Sequence, residues 1–85
     1  MGQNMELKYT VGMMVSEDYK ERFRAEYLQC KIRMERLHKM IVKLLTGTLN
    51  FEPHCPTDLL IQQEAAMMTY KHALEMRAEY EGIEL

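Results

Sequence analysis

The chain has 85 residues, of which 47% are hydrophobic and 28% are charged, and its formal net charge is −2. This length suits one small domain, and this composition excludes an intrinsically disordered chain. No apolar run approaches the roughly 18 residues of a membrane span, no signal peptide is recognisable, and two cysteines do not form a disulfide framework, so we expect a cytoplasmic protein.

Residues 1–15 are predicted to form an N-terminal arm or strand. Apolar residues alternate with others over nine positions, which is the period of a β-strand. The alternating residues are Leu7, Tyr9, Val11, Met13 and Val15. Because no second strand is visible, the strand would pair with its copy in another subunit, pair with a partner, or remain a mobile arm. We favour pairing between subunits.

A long helix is predicted from about residue 17 to 45, with Ser16 as its N-cap and Gly47 as its C-terminal stop. Its apolar residues recur at alternating steps of four and three, which is the heptad pattern of helices that pack along a seam. The seam residues are Phe23, Tyr27, Cys30, Met34, Leu37, Ile41 and Leu44.

A loop over about residues 46–56 leads to a second predicted helix from about residue 57 to 80. Thr57 or Cys55 is the predicted cap, Pro56 lies near the first turn, and Gly82 ends the helix. The predicted apolar stripe of this helix contains Leu60, Met67, Tyr70 and Leu74, and two polar residues share it, Gln63 and Arg77.

The predicted fold class is therefore mainly α, with residues 16–85 forming a long antiparallel helical hairpin. A two-helix hairpin leaves one side of each apolar face exposed. We therefore expect a homo-oligomeric helical bundle.

The charges are distributed unevenly. Residues 31–43 contain five Lys or Arg and one acidic residue, whereas residues 58–85 contain six acidic residues and two Lys or Arg. Within the first stretch Arg36, Lys39 and Lys43 share one helix face, and Arg33 lies one turn before Arg36. These cations suit the phosphates of a small ligand, but they also fit a solvated face or pairing with the acidic helix.

Gln63 and Arg77 interrupt the predicted apolar stripe, and buried polar groups need partners. They either bond across the bundle and fix its register, or face a ligand pocket beside Tyr70, whose ring could stack on a base. The first alternative is favoured.

No catalytic or metal-binding pattern is present. The His54–Cys55 pair and the His72/Glu75 pair do not have metal-ligand spacing, and no phosphate loop occurs. We expect no catalytic residue, no metal and no cofactor, and hence no enzyme. The acidic balance and the lack of a DNA-binding motif disfavour duplex DNA.

Two segments resemble a family of small helical-hairpin proteins of phages and prophages, which are uncharacterised and related to crAss-like phages. The first segment is Arg33-Met34-x-Arg36-Leu37-x-x-Met40-Ile41. The second segment is Leu59-Leu60-x-x-Gln63-x-x-Ala66-Met67-x-x-Tyr70-x-x-x-Leu74-Glu75-x-Arg77-Ala78. The resemblance covers roughly residues 20–85. The hairpin is more distantly similar to viral sponge proteins that antagonise the cyclic-nucleotide immune signalling of CBASS and Thoeris systems.

This similarity implies an oligomeric anti-defence protein, encoded by a phage, that sequesters a cyclic or ADP-ribose-type nucleotide in the infected host. The candidate ligand-binding residues are Arg33, Arg36, Lys39, Lys43, Gln63, Tyr70 and Arg77. Two alternatives remain: a protein-binding inhibitor of a host defence enzyme, of the anti-CRISPR type, or a phage structural or assembly component.

Overall fold

The computed structural model describes residues 6–85, so the first five residues of the predicted arm lie outside it. A 3-10 turn over Leu7–Thr10 runs into a short helix α1 over Val11–Met14, and two long helices follow, α2 over Tyr19–Thr46 and α3 over Thr57–Glu81. Helices α2 and α3 pack together as a hairpin. The predicted helical hairpin is confirmed, and the described range contains no strand.

The strand predicted over residues 7–15 is therefore wrong. Thr10 is fully buried, whereas Tyr9, Val11 and Val15 are exposed. The Thr10 hydroxyl donates to the Leu7 carbonyl at 2.7 Å and accepts a hydrogen bond from the Gln29 amide of α2 at 2.9 Å. A helical turn satisfies backbone groups locally, whereas a lone strand leaves them unpaired. The segment therefore coils and lies against α2.

The start of α2 differs slightly from the prediction. Asp18 is the N-cap, and its carboxylate accepts a hydrogen bond from the Lys20 N–H at 3.0 Å. The predicted cap, Ser16, instead accepts from the Asp18 N–H at 3.0 Å, which shapes the turn before the helix. Gly47 ends α2 in the left-handed region at φ 77°, as its position predicts. All seven predicted seam residues are buried or half-buried.

Helix α3 begins without a side-chain cap. Pro56 holds the N-cap position rather than Thr57 or Cys55, and its carbonyl accepts from the N–H groups of Leu59 and Leu60. Gly82 ends α3 at φ 69°, and its N–H donates to the Ala78 carbonyl.

The buried face of α3 is turned by one residue from the predicted stripe. Leu60, Met67 and Leu74 face α2 as expected, but the positions between them are those of Glu64, Lys71 and Ala78, which are half-buried or buried. The predicted neighbours Gln63, Tyr70 and Arg77 are exposed. A seven-residue repeat of Leu60, Met67 and Leu74 fits both registers, so packing against α2 decides between them.

The principal core lies where the start of α2 meets the end of α3. Phe23, Leu74, Ala78 and Ile83 form one buried cluster, and Tyr27 packs against it. The Arg24 Nε donates to the Glu84 carbonyl at 2.6 Å and holds the last residues against α2. No helix within residues 6–85 is long and apolar enough to cross a membrane.

Candidate functional site

A basic ridge, formed by Arg36, Lys39 and Lys43, runs along the C-terminal half of α2 on its solvent side. All three side chains are exposed, as is Arg33 beside them. Within residues 6–85 none of these four cations takes part in an ion pair. The predicted alternative of pairing with the acidic helix is therefore not formed within one chain, and the ridge is free to meet an anion.

The basic ridge lies on one side of α2. In the first half of the helix, the N-terminal segment packs against this same side. Steps of three and four residues connect Ala25, Gln29 and Ile32 to Arg36, so these side chains share one side of the helix. Ala25 and Ile32 are buried, and Gln29 bonds to Thr10. The covered half thus contains two buried apolar residues and a hydrogen-bonded glutamine, and the cations begin beyond it.

A groove of about 300 Å³ opens between α2 and α3 beside the ridge. Its lining residues are Met34, Glu35, His38, Lys39, Glu64 and Met68. This volume lies at the lower end of the range of about 300–1,000 Å³ typical of small-molecule sites. Lys39 belongs both to the groove and to the basic ridge, so a ligand in the groove can reach the ridge.

The His38 Nδ1 and a Glu64 carboxylate oxygen are joined by a hydrogen bond across the groove. The Glu64 side chain is 19% exposed and the His38 side chain is 62% exposed. These two groups place a carboxylate acceptor and an imidazole ring beside the methionine thioethers. This combination suits a flat, partly polar ring system.

Gln63, Tyr70 and Arg77 do not join this groove. An α-helix turns by about 100° per residue, so Met68 in the groove and Tyr70 lie roughly 160° apart around α3. The structure thus separates the seven predicted ligand residues into the cations of α2 and a group of three on the other side of α3. Ligand binding by any of the seven stays a prediction.

Arg77 makes several contacts at the end of the hairpin. Its guanidinium lies 5.0 Å from the centre of the Phe23 ring, and it donates to the Tyr19 hydroxyl at 2.9 Å and to Glu81 at 3.3 Å. Tyr19 in turn donates to Glu81 at 2.8 Å, and this bond raises the pKa of Tyr19. Arg77 therefore ties the first turn of α2 to the last turn of α3.

A second polar cluster lies near the core. The Tyr27 hydroxyl donates to Glu75 at 2.7 Å, and Lys71 donates to the same oxygen at 3.0 Å. Burial and the bond to Glu75 raise the pKa of Tyr27 to about 12, and the Tyr27 and Lys71 bonds lower the pKa of Glu75. This cluster stabilises the hairpin.

Cys30 lies in the seam, where burial raises the pKa of its thiol. A raised pKa disfavours the reactive thiolate, in agreement with the predicted packing role. Within the described part of the chain no three His, Cys, Asp or Glu side chains are grouped to hold a metal ion.

Sequence reasoning missed the groove. His38 and Glu64 are 26 positions apart, and Met34 and Met68 also belong to different helices. No local spacing pattern connects such residues. The predicted seam was the one signal that could have found the groove. Residues that flank a seam on one helix lie close to the residues that flank it on the other.

Fold and surface together define a helical-hairpin protein with an exposed cationic ridge beside a small groove. A family model matches residues 17–80, and the chain belongs to this family, Sequestin, which comprises phage anti-defence nucleotide sponges. Membership indicates a binding, non-catalytic protein. Comparison with curated proteins and with solved structures gives no match.

Proposed function

We propose that this protein is a phage-encoded anti-defence sponge that sequesters a cyclic or ADP-ribose-type nucleotide immune signal in the cytoplasm of the infected bacterium. Membership of the Sequestin family supports a sequestering role. The observation that carries the ligand class is the basic ridge, whose three exposed cations have no anionic partner among residues 6–85.

In the proposed complex the phosphates of the nucleotide lie on Arg36, Lys39 and Lys43, with Arg33 at the margin. Arginine binds phosphate with two parallel hydrogen bonds, and lysine acts as a compact point charge. Cations that are already exposed lose little intramolecular stabilisation when a phosphate binds. Binding by Coulomb attraction at this surface should weaken as salt is added.

The base or the sugar lies in the groove beside Lys39. The thioethers of Met34 and Met68 supply polarisable contacts to a ring. The Glu64 carboxylate accepts hydrogen bonds from ring N–H or amino groups, and a His38 ring nitrogen donates to or accepts from the ligand according to the tautomer. This arrangement favours a nucleotide over inorganic phosphate, because phosphate alone leaves the groove empty.

Calorimetry with cyclic dinucleotides, cyclic trinucleotides and cyclic ADP-ribose variants tests the proposal. At least one ligand is expected to bind at low salt, more weakly at high salt, and to be recovered intact after the protein is heat-denatured. Absence of heat with every ligand would refute the nucleotide assignment. Recovery of a cleaved ligand would refute the sponge mechanism.

Matched charge reversals locate the site. The ridge variant carries Arg36→Glu, Lys39→Glu and Lys43→Glu, and we expect it to lose binding at least about 100-fold, which corresponds to roughly 2.7 kcal/mol. The control carries Lys8→Glu, Lys20→Glu and Lys31→Glu, which change the net charge equally at three exposed positions. Equal losses of affinity in both variants would show that binding depends on net charge and not on the basic ridge.

The second candidate is a protein-binding inhibitor of a host defence enzyme, and the exposed surface of α3 supports it. Asp58 and Glu79 are exposed acids, and Tyr80 and Met76 are 92% and 61% exposed. Acidic groups beside apolar side chains can occupy the nucleic-acid site of a basic enzyme. Stoichiometric capture of one host enzyme, together with silent calorimetry, would favour this candidate.

A further inference from the structure

Helix α3 carries a second heptad seam, here called the outer face, about 100° around the helix from the seam that packs on α2. Its residues follow alternating steps of four and three. They are Leu59, Gln63, Ala66, Tyr70, Ala73, Arg77 and Tyr80. Ala73 is half-buried and the other six are exposed.

The outer face contains large side chains that the rest of residues 6–85 leaves about half or almost fully exposed. Tyr80 is 92% exposed, Leu59 is 52% exposed and Tyr70 is 44% exposed. Single exposed apolar residues are ordinary, but three large apolar side chains and two alanines in heptad register along one helix form a surface on which another helix can pack. The two alanines between the larger side chains allow the backbones to approach closely.

The order of residues on the outer face is self-complementary about Tyr70. Counted outward from Tyr70, Ala66 corresponds to Ala73, Gln63 corresponds to Arg77, and Leu59 corresponds to Tyr80. If a second α3 packs antiparallel to the first, each member of these pairs faces its counterpart. A sequence without this symmetry would bring small residues against large ones in such a pair.

We propose that the outer face is the interface of an antiparallel dimer of this chain, with its two-fold axis beside Tyr70. Ala66 packs against the partner's Ala73 and fixes the close approach. Leu59 covers the partner's Tyr80, and the amide oxygen of Gln63 accepts from the partner's Arg77. A two-fold interface repeats each contact, so both ends of α3 are covered.

The charges on the outer face permit this pairing. Arg77 is its one charged residue, and Glu81 of the same helix already pairs with it at 3.3 Å. The two copies of Arg77 are therefore each neutralised by Glu81 of their own chain, and they lie at opposite ends of the interface. The acidic residues Glu75 and Glu79 lie on another side of α3, so the two chains do not bring these two acids together.

The groove and the basic ridge remain accessible in this dimer. Met68 lines the groove and lies roughly 160° from Tyr70 around the helix. The dimer would thus present two separate ligand surfaces facing away from its axis. The interface does not depend on the proposed sponge function, since it is derived from α3 alone.

Cysteine cross-linking tests the register. In a Cys55→Ser background, which removes an exposed thiol, Tyr70→Cys alone should form a covalent dimer on mild oxidation. Ala66→Cys and Ala73→Cys should each cross-link weakly alone and strongly when mixed, because like positions lie about 10 Å apart along the helix at 1.5 Å per residue. Efficient cross-linking of Ala66→Cys alone, or none in the mixture, would overturn the proposed geometry.

Light scattering of the full chain tests the interface without new thiols. The wild type should have a mass of at least two chains, and Ala66→Arg should reduce it about twofold. Ala65→Arg is the matched control, because Ala65 is also exposed but lies off the outer face. A wild type of single-chain mass, or equal behaviour of the two variants, would refute the dimer. Calorimetry on Ala66→Arg separates this result from the ligand proposal, since the ridge is intact.

Discussion

Tyr27, Lys71 and Glu75 show how single residues join the two helices. The phenol and the ammonium both donate to one Glu75 oxygen, and the Lys71 Nζ lies 5.9 Å from the centre of the Tyr27 ring. Hydrogen bonds to a charged acceptor are stronger than those between neutral groups. The cluster therefore stabilises the hairpin in a way that depends on pH.

The Tyr27 bond is expected to make folding pH-dependent at both extremes. The pKa of Glu75 is lowered in the folded chain. Its contribution to the free energy of unfolding is therefore present above the ordinary carboxyl pKa and is lost as the pH falls from that value through the lowered pKa of the folded chain. The pKa of Tyr27 is raised to about 12, so its contribution is lost as the pH rises from the ordinary tyrosine value of 10.0 towards 12.

Tyr27→Phe should therefore lower the free energy of unfolding near neutral pH by about 0.5–1.5 kcal/mol and reduce its decline towards acid. Urea titrations at neutral and acidic pH would measure both effects. Tyr9→Phe is the control, because Tyr9 is 59% exposed and should change neither quantity. A Tyr27→Phe profile parallel to that of the wild type would contradict the assignment.

At the scale of the elements, the C-terminal ends of the helices were easier to predict than the buried face of α3. Gly47 and Gly82 mark the ends of α2 and α3, because the left-handed backbone at a helix end favours glycine through local sterics. The buried face of α3 depends on α2, and the repeat of Leu60, Met67 and Leu74 permits two registers. The coiled N-terminal segment likewise depends on Gln29 of α2.

Gly82→Ala should destabilise the hairpin by about 1–2 kcal/mol, because an alanine is strained in the left-handed region. No neighbouring atom lies within 4 Å of the added Cβ, so the effect is one of backbone conformation rather than collision. Gly12→Ala provides the contrast. Gly12 lies in α1 with open space around it, and the change should be neutral or stabilising by up to about 1 kcal/mol. Thermal unfolding should give a lower midpoint for Gly82→Ala and an unchanged or higher midpoint for Gly12→Ala, and equal shifts would contradict the explanation.

At the scale of the whole molecule, the main core lies at one end of a chain that measures 43 × 26 × 23 Å. Phe23, Leu74, Ala78 and Ile83 occupy that end, whereas the groove lies nearer the connecting loop. Stability and the candidate ligand surface are thus separated along the hairpin. Changes at the exposed groove residues Glu35, His38 and Lys39 should therefore leave the fold intact.

Leu74→Ala should lower the free energy of unfolding by about 2–5 kcal/mol, since it removes buried methyl groups and leaves a cavity. Leu74 is 1% exposed, whereas Met76, two residues along the same helix, is 61% exposed. Met76→Ala is therefore expected to change stability by no more than about 0.5 kcal/mol. Urea unfolding at one protein concentration compares the two variants, and similar losses would place the core elsewhere.

The sequence by itself determined the features that arise from local physics. Heptad spacing predicted α2 and its seam, glycines predicted the helix ends, and the cation pattern predicted an exposed ridge. Tertiary structure alone decided the conformation of residues 7–15, the rotation of α3, and the meeting of His38 with Glu64 at the groove. These features depend on contacts between residues far apart in the chain, and their free energy does not exist until the helices pack.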